Sequence, residues 1–158
     1  MYREDIGKTA GFGRDYSLFI QTFNCGEKYL SEIDLTNNIP FDKDIYIFSL
    51  QECFYPEKSI KAITSYLNKN GEYTLQTQSI GCNWKIVGYH GTITVIALVR
   101  TSILCSFNPI LNRSVYEGFN LGFTRLGNKG SAAISIRLPN YLLLVIASHY
   151  SSDLKVIY

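Results

Sequence analysis

A glycine-framed polar segment, Gly122-Phe-Thr-Arg-Leu-Gly-Asn-Lys-Gly130, runs directly into Ser131-Ala-Ala-Ile-Ser-Ile-Arg137, which alternates as a strand does. Gly127 and Gly130 admit backbone angles closed to other residues and let a ligand approach the main chain. Between them Asn128 presents an amide and Lys129 an ammonium, donors suited to phosphate oxygens. Three further polar pieces sit at strand ends in the same chain: Thr22-Phe-Asn24, Leu50-Gln-Glu52 and Ser148-His149. Glu52 offers a carboxylate and Asn24 an amide oxygen, hard ligands suited to Mg²⁺, an ion that keeps several waters and so needs one or two protein ligands. His149 can hold a phosphate oxygen or move a proton.

Each of these residues also has a structural reading. Asn24 and Gln51 are the kind of side chain that hydrogen-bonds within a turn. Glu52 and Lys129 read equally as solvated loop charges, and His149 as a hydrogen-bonded residue closing a strand. His90, inside the segment 88–91, is read as structural on strand geometry, and Trp84 as packing. The coincidence of four polar pieces at strand ends is what favours the functional reading.

The elements that must position them follow from periodicity. Ser17–Asn24 reads as a strand, followed by a polar connection over 25–43 with a short helical turn near 27–33. Asp44–Leu50 is a second, almost continuously apolar strand. Pro56 suits the first turn of a helix and Gly71 its stop, with Ile60, Ile63 and Leu67 on one face. Glu72–Ser79 alternates as a strand. Gly88–Arg100 is a long strand with Gly91 as a bulge or close contact, and Ser102–Phe107 a short one. Residues 108–128 read mostly as loop, and Lys129–Leu138 with Tyr141–Ser148 as a hairpin around Pro139-Asn140. The order β, β, α, then mainly β, predicts a mixed α/β sandwich. Residues 142–147 have no polar face, and such strands are usually covered on both sides. One helix covers little sheet, so the expectation is that further layers come from outside this chain.

The 158 residues suffice for one domain with a real core, and the 46% hydrophobic content excludes disorder. A net charge of +2 gives no bulk electrostatic case for nucleic acid. The four cysteines, Cys25, Cys53, Cys82 and Cys105, form no CxxC pair and no zinc spacing with the two histidines. With a polar N-terminal opening and no apolar run of spanning length, the expectation is a cytoplasmic protein with free buried thiols, residues 1–15 forming a flexible leader and 16–158 the domain.

In this order the pieces resemble the inositol polyphosphate 5-phosphatases of the endonuclease/exonuclease/phosphatase superfamily. Thr22-Phe-Asn24 is similar to that family's Thr-Trp-Asn, with Phe23 in place of Trp. Leu50-Gln-Glu52 matches its Leu-Gln-Glu. Ile86-Val-Gly-Tyr89 is similar to the segment before its long strand. Gly127-Asn-Lys-Gly130 matches its Gly-Asn-Lys-Gly, the most specific of the set, and Ala147-Ser-His149 is similar to its Asn-Ser-His.

The resemblance implies a DNase I-like β-sandwich flanked by helices. It also implies a Mg²⁺ site at Glu52 and Asn24, His149 on the scissile phosphate, and Asn128 and Lys129 beside the substrate. The implied reaction is Mg²⁺-dependent hydrolysis of the 5-phosphate of a phosphoinositide lipid or a soluble inositol polyphosphate. The location implied is cytoplasmic, with peripheral membrane contact allowed, and no nucleic-acid partner is expected.

The later Gly-Asp-Leu-Asn and Ser-Asp-His motifs of that family do not occur in the sequence. The resemblance therefore covers the N-terminal half of the catalytic domain, and the missing half is itself an expected partner. Loss of a water-activating group alone removes a factor of roughly 10²–10⁴ in rate, so the 158 residues by themselves are expected to be inactive. The alternative is a catalytically incomplete half-domain that acts by binding a ligand or another protein.

Overall fold

The segments IYIFSL (45–50) and TITVIALV (92–99) lack a polar face, and both become central strands buried on two sides. In the computed structural model, residues 15–31, 35–36, 38–81, 91–108, 114–120 and 125–150 are described, with backbone alone for 107–108, 114–120 and 125–128. The first sheet contains β1 (Leu18–Asn24), β2 (Ile45–Cys53), β3 (Tyr73–Ile80) and β4 (Thr92–Arg100) in the order β1-β2-β4-β3. β1 runs parallel to β2, with Leu18 opposite Ile45 and Asn24 opposite Gln51; β4 is antiparallel to both β2 and β3. The parallel pairing brings the C-terminal ends of β1 and β2 to one edge, which is where Asn24 and Glu52 lie.

The second sheet is built on β7 (Arg125–Arg137), which pairs with β8 (Leu142–His149), β5 (Ser106–Asn108) and β6 (Ser114–Asn120). The sheets face each other across Ile45, Ile47, Ile93, Val95, Ala97 and Val99 from the first and Ala132, Ile134, Ile136 and Ala147 from the second. On its other face the first sheet carries helix α1 (Pro56–Leu67), whose Ile63 and Leu67 meet Phe48, Leu50, Ile96 and Leu98. Pro56 opens α1, as its fixed φ allows. Asn68 ends the helix and clamps the next strand: its amide donates to the Tyr73 carbonyl at 2.8 Å and its Oδ1 accepts the Tyr73 N–H at 2.9 Å. Gly71, at φ 68°, makes the turn between them.

The mixed α/β sandwich expected from the sequence is present. Four details differ. The stretch read as loop over 108–128 contains β6 and the first residues of β7, drawn into a ladder by backbone pairing that a bulge between Glu117 and Phe119 adjusts. The strand expected over Ser102–Phe107 is confined to the three residues of β5, with a turn at 101–103. Of the helical turn expected near 27–33, residues 27–31 carry a turn and a bend but no helix, and 32–33 lie outside the described residues. Of the cysteines expected to be buried, Cys53 is buried, Cys25 is partly so and Cys105 is exposed. Residues 1–14 of the leader expected over 1–15, residues 82–90 with Cys82, Trp84 and His90, and residues 151–158 lie outside the described residues.

Cover is uneven, as the unbroken apolar run of β8 predicts. Leu143, Val145 and Ala147 turn inward, while Leu142, Leu144 and Ile146 stand exposed, Ile146 at 57%. Among the described residues β8 pairs with β7 alone. β1 is similarly open. Leu18 and Ile20, on the face it shares with Ile45 and Ile47, are 44% and 65% exposed. At the end of the sandwich away from Asn24, an apolar hollow of about 410 Å³ lies between Leu18, Ile45, Leu138 and Leu143.

The packing of α1 sets a prediction. Ile63→Ala removes a fully buried side chain and is expected to cost about 2–5 kcal/mol. Lys61→Ala, on the exposed face, is expected to stay within about 0.5 kcal/mol. Urea unfolding of the two variants checks the pair, and equal costs would remove α1 from the core.

Candidate functional site

Glu52 is the residue that the local fold treats most unusually. Between Leu50, opposite Thr94, and Cys53, opposite Thr92, β2 carries one residue more than its partner strand, the arrangement of a β-bulge that re-aims a side chain. Glu52 within it has φ 51°, in the left-handed region, at a cost of roughly 1–2 kcal/mol for an L-residue. Gly91 makes that backbone path available. A Cβ built on Gly91 would lie 2.5 Å from the Glu52 carbonyl carbon and 2.8 Å from the Cys53 nitrogen, so no side chain fits. Gly91 has φ 75° itself. The Thr92 hydroxyl donates to the Cys53 carbonyl at 3.0 Å and fixes the far side of the bulge.

The loop after β1 is tied to the same bulge. Cys25 N–H donates to the Gln51 carbonyl at 2.8 Å and Glu27 N–H to the Glu52 carbonyl at 2.9 Å. Asn24 Oδ1 accepts the Gly26 N–H at 2.9 Å, an Asx-type turn. A carbonyl oxygen has two lone pairs, so this bond occupies one and leaves the other. Asn24 is exposed and lines a groove with Phe23, Cys25, Lys28 and Tyr29. Gln51 is largely buried and acts as a brace: its amide donates to Thr22 Oγ1 at 2.9 Å and to Ser49 Oγ at 2.6 Å.

From the second sheet comes His149, last residue of β8 and opposite Gly130 in the ladder. His149 Nε2 is 3.2 Å from Glu52 Oε1, a contact between residues 97 apart in sequence, and Lys129 Nζ lies against the same Nε2. One imidazole nitrogen cannot serve both partners at once. With the neutral ring protonated on Nδ1, Nε2 accepts from Lys129. In the imidazolium, Nε2–H donates to Glu52. A carboxylate, an imidazole and an ammonium thus converge on one point at the edge of the sandwich, all partly exposed. Such a cluster can hold an anion through Lys129 and His149, and a hard cation through Glu52. Gly130, at φ 138°, follows Lys129 within β7.

Of the residues singled out from the sequence, Glu52, His149 and Lys129 come together. Asn24 stands on the neighbouring strand end. Asn128 lies in β7, with its side chain outside what is described. Among the described residues no group of three or more His, Cys, Asp or Glu side chains gathers as a metal cluster. The sequence marked Gly91 as a bulge or a close contact, without revealing against what. Thr22 and Ser49 were also missed as a pair, although both are polar residues in apolar strands, and the parallel register sets them opposite each other. The Cys53 thiol is lowered to about 7, above all by its hydrogen bond with the Cys25 thiol and less by Ser59, against a desolvation that raises it. No family model matches the chain, and no curated protein matches it.

Two substitutions test the backbone account. Gly91→Ala is expected to destabilise the protein by about 1–3 kcal/mol, the usual cost of forcing atoms into a filled space. Glu52→Gly should leave the denaturation midpoint unchanged or raised, because glycine holds φ 51° without the left-handed penalty. A Gly91→Ala protein as stable as the parent would show that the Glu52 peptide does not need that space.

Proposed function

We propose that this chain is part of a Mg²⁺-dependent phosphatase of the inositol polyphosphate 5-phosphatase type, with a DNase I-like sandwich, acting on phosphoinositide lipids or soluble inositol polyphosphates. The observation that carries this reading is the convergence of Glu52, His149 and Lys129 from two different sheets, next to the strand end that carries Asn24. Their types suit one task, which is to hold a phosphate ester beside a hard cation.

In this reading Lys129 and His149 take phosphate oxygens, and Lys129 offsets their charge. Glu52 and Asn24 are the residues that would hold Mg²⁺. The donor set fits, being oxygen-only and low in ligand count. When bound, the ion supplies Lewis-acid polarisation and charge neutralisation. A phosphate oxygen accepting from His149 Nε2–H would take the place that Glu52 Oε1 holds there. The family's water-activating motif does not occur in this sequence, so binding is the activity to measure on this chain.

The test is calorimetric titration with a soluble inositol polyphosphate, with and without Mg²⁺. Lys129→Ala is expected to weaken binding roughly 10- to 100-fold, the value of one hydrogen bond to a charged group. Glu52→Gln should abolish the strengthening by Mg²⁺. Equal affinity for a DNA oligonucleotide, or no effect of Lys129→Ala, would overturn the proposal. A second reading, a half-domain that acts by docking on another protein, is favoured by one observation, the exposed row Leu142, Leu144 and Ile146.

A further inference from the structure

Two cysteines sit immediately behind the residues just described, one following β1 and one closing β2. Cys25 follows Asn24, and Cys53 follows Glu52. The parallel register sets Asn24 opposite Gln51, and the bond from Cys25 N–H to the Gln51 carbonyl carries the pairing one residue further. Because β2 gains its extra residue at the bulge, the side chain of Cys53 falls on the α1 face. Cys25 packs against that same apolar cluster. The two side chains therefore meet at one apolar cluster behind the bulge.

Their surroundings differ in a useful way. Cys25 is partly exposed and lines the groove beside Lys28 and Tyr29, so a small oxidant reaches it. Cys53 is fully buried, and its other polar side-chain neighbour is Ser59 Oγ at 3.3 Å. An accessible thiol backed by a buried one in the same cluster is the arrangement of a reactive cysteine with its resolving partner.

We propose that Cys25 and Cys53 form a reversible disulfide on exposure to hydrogen peroxide, a modification site that cross-links the ends of β1 and β2. In the first step the Cys25 sulfur attacks peroxide. The O–O bond breaks, the sulfur keeps one oxygen as a sulfenic acid, and the other oxygen leaves as water with the thiol proton. In the second step the Cys53 sulfur attacks the sulfenic sulfur. The S–O bond breaks, and hydroxide leaves as water with the Cys53 proton. Two thiols and one peroxide give one disulfide and two waters. Closing the S–S bond to about 2.05 Å draws Cys53 away from Ser59, whose hydroxyl keeps the Leu30 N–H at 3.0 Å. The bridge needs neither Mg²⁺ nor a phosphate ligand, so this inference and the phosphatase reading stand or fall separately.

The experiment is peroxide treatment of the 158-residue chain, alkylation of remaining thiols, proteolysis and mass spectrometry. The expected result is one linked peptide pair joining Cys25 to Cys53, with loss of alkylation at both sites that dithiothreitol restores. Cys105, exposed and free, should remain alkylated or join only other molecules. In Cys53→Ser the oxidation should stop at a Cys25 sulfenic acid that dimedone traps. In Cys25→Ser, at the partly exposed position, Cys53 should be recovered as a thiol. Recovery of both cysteines as free thiols after treatment, or a dominant link from Cys25 to Cys82 or Cys105, would overturn the proposal.

Discussion

The site depends on a hydrogen atom in place of a side chain. Gly91 leaves open the volume that the Glu52 peptide fills, with the carbonyl carbon 2.5 Å from where a Cβ would be. Without that approach β2 could not carry its extra residue against β4, Glu52 would not take φ 51°, and its carboxylate would follow the regular pleat. The strain is held by what surrounds it. Thr92 takes the Cys53 carbonyl, Glu27 N–H takes the Glu52 carbonyl, and Gln51 is braced between Thr22 and Ser49. A strained backbone persists where its neighbours over-determine it, and here the neighbours come from three strands and a loop.

The rest of the sandwich serves to bring the second sheet to that point. β2 and β4 are apolar on both faces because one face meets β7 and β8 and the other meets α1. Interlocked layers at that density leave little freedom to slide, so the end of β8 is held where His149 reaches Glu52. Lys129 arrives on the neighbouring strand, and the Gly130–His149 pairing fixes both at once. The same architecture places Cys25 and Cys53 behind the site rather than in it. Two layers of chemistry thus share one bulge, charged groups toward solvent and thiols toward the helix.

Much of this was legible in the residues. The apolar runs of β2, β4 and β8, the Pro56 start of α1 and the polar residues closing three strands are local signals, and local signals survive folding. The convergence of Glu52 with His149 was legible as types but not as geometry, because 97 residues separate them and pairing between sheets has no periodicity to read. β6 was hidden for a related reason: Ser114–Asn120 carries Gly118 inside it, which weakens a strand's local preference, and its pairing with the long β7 overrides that. Asn24 shows a limit of another kind. Its side chain suits both a turn and a ligand, and the bond to Gly26 N–H engages one lone pair while leaving the second.

The outer row of β8 has a consequence for how the protein behaves in solution. Leu142, Leu144 and Ile146 lie on a strand that, among the described residues, has one neighbour, and an unpaired apolar edge is a template for another chain. A net charge of +2 supplies weak long-range repulsion, and ordinary salt screens it within about 10 Å. This strand therefore offers a site for association between molecules. Solubility should fall with rising concentration and ionic strength together, and a single lysine in place of Leu144 would act as a gatekeeper that keeps molecules apart without entering the core.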